Sequence, residues 1–184
     1  MIFLVTGGSG SGKSAWAENL AVTVGSGRRI YLAAMKPWDE ECEKRIARHR
    51  RMRAGKGFET IERYKNLKDL ILQGERCGVL LLECMSNLLA NEMFGTGEED
   101  TAETADEEEI IREIEEGVEN LASQTDHLVI VTNEIFSDGI KYQEDTLRYI
   151  RLLGLVNQKL GQAAGYVAEV NCKIPLIVKN TGLW

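Results

Sequence analysis

The chain has 184 residues, 43% hydrophobic and 28% charged, with a formal net charge of -7. That is enough apolar material for one domain over residues 1–184, on a surface too acidic for broad nucleic-acid contact, which needs a basic face. Two histidines and four cysteines with no C-x-x-C pair (Cys42, Cys77, Cys84, Cys172) argue against a zinc site and read as free thiols of a reducing compartment.

Ile2 to Thr6 is a short apolar, β-branched run ended by Gly7 and predicts a buried strand. Because Met1 leads straight into it, no signal peptide is expected. Ser14 to about Val24 reads as a helix, with Trp16, Leu20 and Val24 spaced at fours and Gly25-Ser26-Gly27 as the stop. A second strand is predicted over Ile30–Ala34, a highly charged helix over Asp39–Arg53, a short alternating strand over Phe58–Glu62 and a short helix over Asn66–Gln73. Val79–Leu82 is a further buried strand ended by Glu83, followed by a helix over Ser86–Phe94. Gly95 to about Thr104 is acidic, poor in large apolar groups and read as an exposed loop. Ala105–Ser123 carries an apolar stripe through Ile110, Ile114 and Val118 and predicts an acidic amphipathic helix. Leu128–Thr132, Tyr166–Val170 and Leu176–Lys179 close the pattern as strands around a long helix over Glu144–Ala164. No apolar run approaches the roughly 18 residues of a membrane span, so a cytoplasmic protein is expected. Strands alternating with helices predict an α/β fold, P-loop NTPase-like, with a mostly parallel sheet and helices on both faces.

The segment Gly7-Gly8-Ser9-Gly10-Ser11-Gly12-Lys13-Ser14 matches the full P-loop pattern between a strand and a helix. Glycines let successive amides turn inward around phosphate oxygens, and the helix that follows presents its N-terminus to the anion. Lys13 would reach the β- and γ-phosphates and the Ser14 hydroxyl would ligate Mg²⁺. Glu83, an acid at the end of a buried strand, is the second candidate for the Mg²⁺ shell, directly or through water.

Residues 44–53 place His49 among six cations, with Arg45 and Arg53 one helical turn to either side. Such crowding disfavours the imidazolium. A neutral imidazole is a usable nucleophile, and the arginines could clamp a triphosphate. By residue type alone the same segment also reads as a solvated basic face, or as a phosphate clamp with His49 a bystander. His127, at a strand start beside Asp126, reads as structural.

Taken together, Leu4-Val5-Thr6-Gly7-Gly8, Gly12-Lys13-Ser14, Tyr31-Leu32-Ala33, Arg45-Ile46-x-x-His49-Arg50, Leu81-Leu82-Glu83-Cys84, Asn91, Val131-Thr132-Asn133-Glu134 and Gly154-x-x-Asn157-Gln158 resemble, in order and over nearly the whole chain, the bifunctional adenosylcobinamide kinase/adenosylcobinamide-phosphate guanylyltransferase family of cobalamin biosynthesis. The resemblance implies an enzyme with two reactions. A nucleoside triphosphate, ATP or GTP, phosphorylates the corrinoid adenosylcobinamide. GTP then guanylylates a histidine, matched by His49, and GMP passes to the new phosphate. Implied guanine-nucleotide contacts fall on the P-loop, on Ala33, Ala34 and Met35, on Arg50, Arg51, Met52 and Arg53, and on Glu62 and Glu83. A homo-oligomer, often a trimer, is also implied. The sequence departs from the family after Glu134, at Ile150-Arg151 where the family has Arg-Asp, and at Lys173 where it has glycine. A P-loop kinase without the guanylyl step and a GTP-binding regulator stand as alternatives.

Overall fold

A computed structural model describes residues 1–37, 40–95, 106–136 and 142–182; the side chains of Glu41, Cys42, Arg45, His49 and Met52 also lie outside the described residues. In chain order the elements are β1 (Ile2–Thr6), α1 (Lys13–Val24), β2 (Arg29–Ala33), α2 (Glu40–Arg53), β3 (Phe58–Glu62), β4 (Cys77–Glu83), α3 (Met85–Phe94), α4 (Glu107–Gln124), β5 (Thr125–Val131), α5 (Glu144–Ala163), β6 (Tyr166–Asn171) and β7 (Ile174–Asn180). One seven-stranded sheet runs β3-β2-β4-β5-β1-β6-β7. Every pairing is parallel except β6 with β7, which is antiparallel. The mostly parallel α/β fold expected from the sequence is the one observed.

Strand β4 is buried along its whole length, as a central parallel strand covered on both faces must be. Its alternate residues divide the core. Leu80 and Leu82, with Leu128 and Ile130 of β5, pack against α3, α4 and α5. Val79 and Leu81, with Val129 and Val131, pack against Ala17 and Ala21 of α1. Each large aliphatic side chain so buried contributes about 2 kcal/mol. The predicted stripe of α4 is the face it buries, through Ile110, Ile114, Val118 and Leu121. Asp106 caps this helix by accepting from the Glu108 amide at 3.4 Å, and Glu107 to Glu109 complement its positive end.

One predicted element is corrected. The helix expected over Asn66–Gln73 is a single 3₁₀ turn, Leu67–Asp69, followed by extended chain. Asn66 enters it with φ 54°. The carbonyls of Leu67 and Leu70 accept the Asn120 side-chain amide, and Gln124 holds both Leu70 O and Leu72 N–H. Side chains of α4 therefore take the backbone groups that a helix would have paired internally. The acidic loop after Gly95 falls almost entirely outside the described residues.

The parallel strands end together, so the P-loop after β1, the segment after β5 and Glu83 at the end of β4 meet at one edge of the sheet. Such an edge is where open α/β sheets bind ligands.

Candidate functional site

The P-loop has the backbone that its sequence demands. Gly12 adopts φ 93° as it leads into α1, and a Cβ there would stand 2.7 Å from the Lys173 side chain. A Cβ on Gly7 would approach the Val170 carbonyl to 2.5 Å. The loop closes on itself through Ser11 N–H to Gly8 O at 3.2 Å, and the Lys173 N–H donates to Ser11 O at 2.8 Å. Lys173 is itself at φ 66°, and Cys172 before it at φ 51°. The position where the resemblance implies glycine thus lies in left-handed backbone, which glycine adopts most freely; lysine occupies it here within a two-residue hairpin turn.

Lys13 is nearly buried, and its ammonium donates to Gly8 O at 3.1 Å. Burial lowers its pKa, while nearby Cys84 and Glu83 act in the opposite sense. Ser14 is half-buried in the first turn of α1. Only β5 separates β1 from β4. Two strand spacings put about 10 Å between the ends of β1 and β4, which leaves room beside the P-loop for Mg²⁺ with its waters and phosphate oxygens. Among the described residues no three histidine, cysteine, aspartate or glutamate side chains gather. A metal here would rely on one or two protein oxygens plus water and phosphate, which is the Mg²⁺ pattern. Ser14 and Glu83, one hard oxygen donor on either side, fit it.

Glu83 is buried and held. Its Oε2 accepts the Tyr31 hydroxyl at 3.2 Å. Burial, with Glu83 alongside, pushes the Tyr31 phenol far above its ordinary pKa, so it stays a donor. The guanidinium of Arg53 lies 3.3 Å from the centre of the Tyr31 ring. Arg53 is 7% exposed, and its Nη1 has no hydrogen-bond partner among the described residues. These three residues, with Ile46, Arg50 and Glu62, border a cleft of about 380 Å³ between α2 and the sheet edge.

Among the residues predicted from sequence, Ala33 and Met35 also border this cleft. Ala34 is buried in the core, with its carbonyl on the Asn91 side-chain amide at 2.9 Å. Arg50 pairs with Glu62 at 2.9 Å, and Glu62 also accepts the Tyr64 hydroxyl. Arg51 is exposed. The main chain of His49 lies in α2 directly before Arg50; the side chains of His49, Arg45 and Met52 lie outside the described residues. His127 meets Phe3 edge-on at 5.8 Å, in keeping with a packing role, and burial lowers its pKa.

Three features carry no role in the sequence reading. Tyr31 reads there as a strand residue within the Tyr31-Leu32-Ala33 match and is given no role, yet it joins Glu83 to Arg53. Lys56, just past α2, donates to Glu18 of α1 at 2.8 Å and to Asn19 at 3.2 Å. Glu18 is fully buried, and its other oxygen has no partner among the described residues. A carboxylate on the otherwise apolar inner face of α1 is the available signal for that pair. Third, a polar network runs from α5 to the start of α3: Thr132 Oγ1 donates to Asn157, whose amide donates to Asn133 O, Asn133 Nδ2 donates to Ser86 Oγ at 2.6 Å, and Ser86 Oγ sits 2.9 Å from Cys84 Sγ. The departure at Arg151 has a local use, since Arg151 and Arg148 both pair with Glu107 and tie α5 to α4.

A family model for cobinamide kinase / cobinamide phosphate guanyltransferase matches residues 3–178. The chain is 33% identical over 185 residues to the bifunctional adenosylcobalamin biosynthesis protein CobU of Escherichia coli (strain K12), covering 97% of this chain and 100% of that one. It is likewise 33% identical to the protein of the same name from Salmonella typhimurium (strain LT2), with the same two coverages. Identity to the bifunctional adenosylcobalamin biosynthesis protein CobP of Pseudomonas aeruginosa is 27% over 182 residues, covering 98% of each chain. Among solved structures, an ATPase domain shares the fold, with a TM-score of 0.51 at 12% identity over 98% of this chain and 77% of that one.

Proposed function

The chain belongs to the cobinamide kinase / cobinamide phosphate guanyltransferase family, and from that premise we propose that it is a bifunctional transferase of cobalamin biosynthesis. It phosphorylates adenosylcobinamide with a nucleoside triphosphate, then transfers GMP from GTP to adenosylcobinamide phosphate, giving adenosylcobinamide-GDP. One observation carries the reading: a P-loop with a nearly buried lysine and an arginine-lined cleft under α2 open at the same edge of the sheet, with Glu83 between them. A triphosphate has a cradle there, and a second anion-binding wall stands beside it.

In the first reaction the amides of Gly8 to Ser14 and the Lys13 ammonium hold the β- and γ-phosphates. Ser14 and Glu83 would hold Mg²⁺, which would supply charge neutralisation for the phosphoryl group. In the second, the neutral imidazole of His49 attacks the α-phosphorus of GTP and pyrophosphate leaves. A phosphate oxygen of adenosylcobinamide phosphate then displaces the imidazole. Arg50 and Arg53 balance the charge on the transferring group, while Ala33, Met35 and Glu62 line the seat of the nucleotide. The chain works as one domain in the cytoplasm, as a homo-oligomer and, by family resemblance, a trimer. The outer strand β7 supports the assembly, since Ile174, Leu176, Ile177 and Val178 are all at least half exposed.

The test is labelling with GTP carrying ³²P at the α-position. The adduct is expected to be labile in acid and stable in base. His49→Asn should lose the label and guanylyl transfer while it continues to phosphorylate adenosylcobinamide. Label retained in that variant, or mapped to another residue, overturns the histidine assignment; phosphorylation with no labelled enzyme in the unaltered chain leaves a kinase alone.

A further inference from the structure

Beyond the end of β5 the main chain runs on beside the P-loop. The Thr132 N–H donates to Val5 O at 2.9 Å and the Glu134 N–H to Gly7 O at 3.0 Å. Pairing between β5 and β1 therefore continues past both strands and fixes Glu134 against the first glycine of the cradle. With Gly8, Ser9, Gly10 and Ser11, the half-buried Glu134 borders a cleft of about 330 Å³. Its Oε1 accepts the Phe136 N–H at 3.0 Å, which orients the carboxylate.

A carboxylate at the mouth of a triphosphate cradle opposes binding of the nucleotide. It serves a reaction that begins with a proton to remove, and a hydroxyl acceptor brings one. We infer that Glu134 is the general base of the phosphoryl transfer; the inference rests on the kinase reading above. The acceptor hydroxyl oxygen attacks the γ-phosphorus, its proton passes to the Glu134 carboxylate, the new O–P bond forms, and the bond from γ-phosphorus to the bridging oxygen breaks to release the nucleoside diphosphate. A second carboxylate, Glu169 of β6, borders the same cleft. It lies opposite Thr6 on the side of β1 away from β5 and Glu83. Glu134 follows β5, the strand that lies between β1, which leads into the P-loop and Lys13, and β4, which ends in Glu83, and so stands on the side of the cradle nearer the phosphoryl group to be transferred.

Guanylyl transfer offers a built-in control. Its acceptor is a phosphate oxygen, already ionised, with no proton to take. The experiment compares the full-length chain with Glu134→Gln, Glu134→Asp and Glu169→Gln. Formation of adenosylcobinamide phosphate from adenosylcobinamide, Mg²⁺ and triphosphate is followed across pH, and guanylyl transfer to separately prepared adenosylcobinamide phosphate is followed alongside. Glu134→Gln should lower kinase kcat about 100-fold and remove the acidic limb of the kcat/KM profile, leaving guanylyl transfer within about two-fold. Glu134→Asp should keep the limb at an intermediate rate, and Glu169→Gln should keep both limb and rate. Overturning results are a Glu134→Gln chain with undiminished kinase, one that loses both reactions together, or a Glu169→Gln chain that reproduces the loss of rate and limb. If the unaltered chain itself forms no adenosylcobinamide phosphate, the kinase reading falls, and this assignment with it.

Discussion

Two walls face each other across the site, and they are made differently. Around Gly7 to Ser14 the groups that would meet phosphate are backbone amides, and hydrogen bonds from Ser11, Lys173 and Glu134 N–H set the path of the chain. Under α2 the groups are side chains at the ends of long, flexible stems: Arg53 against the Tyr31 ring, Arg50 on Glu62, and Lys56 anchoring the end of the helix to Glu18. A main-chain cradle loses little freedom when an anion arrives, whereas a guanidinium wall must be ordered each time. The first suits the phosphates common to every triphosphate; the second suits the proposed step in which the group held would change from GTP to enzyme-bound GMP.

The contrast can be broken most severely at Lys13, the side chain that brings a positive charge to the main-chain wall. Lys13→Ala should lower both reactions by at least about 100-fold, while the thermal midpoint stays within about 3 °C of the unaltered chain. Either reaction persisting at full rate in a folded variant would show that the amides alone suffice. Next is the anchor of the other wall. Lys56→Met leaves the Glu18 carboxylate buried with neither oxygen paired among the described residues, and should cost about 3 kcal/mol, or roughly 9 °C in midpoint. GTP labelling should fall further than phosphorylation, and Lys56→Arg should restore it; equal losses in the two reactions would mean the anchor serves the whole fold. The smallest effects separate two arginines of one helix. Arg53, buried on Tyr31, should weaken labelling about 10-fold when changed to alanine. Arg50, exposed and already paired with Glu62, should weaken it about three-fold. Comparable rates for the two variants would erase the distinction that burial draws between them.

The main-chain wall was legible in the sequence because its requirements are local. An apolar strand, glycines at fixed spacing and a helix start lie within 24 residues, and Gly12 at φ 93° is what the motif calls for. The acidic end of β4 was legible for the same reason. Residues of the other wall, Ala33, Met35, Arg50, Arg53, Glu62 and Glu83, enter the sequence reading through the resemblance, but the contacts that build it were not legible, because they join distant positions: Tyr31 with Glu83, Tyr31 with Arg53, Lys56 with Glu18. The sequence shows six cations around His49 but not that Arg53 turns inward while Arg51 faces water. The misread at Asn66–Gln73 has the same origin. Leu67, Leu70 and Ile71 carry a helix-like spacing, but Asn120 and Gln124, some 50 residues later, capture the backbone groups that decide the matter.

Strand β7 carries one further consequence. Its side chains are exposed on both faces, with Ile174 at 63%, Leu176 at 54%, Ile177 at 50% and Val178 at 67%. Burial therefore does not choose among alignments of β7 on β6, and the ladder already shifts once, between Val167 and Ala168. The choice is made at the turn. Cys172 and Lys173 reverse the chain in two residues, and the Lys173 amide is clasped by Ser11 O of the phosphate cradle. The cradle is thus an end stop for the hairpin: a slip of one residue would swap the faces of β7 and tear that amide from the P-loop. An apolar sheet edge, elsewhere free to slide or to recruit strands indiscriminately, is held in step by the loop that holds the nucleotide.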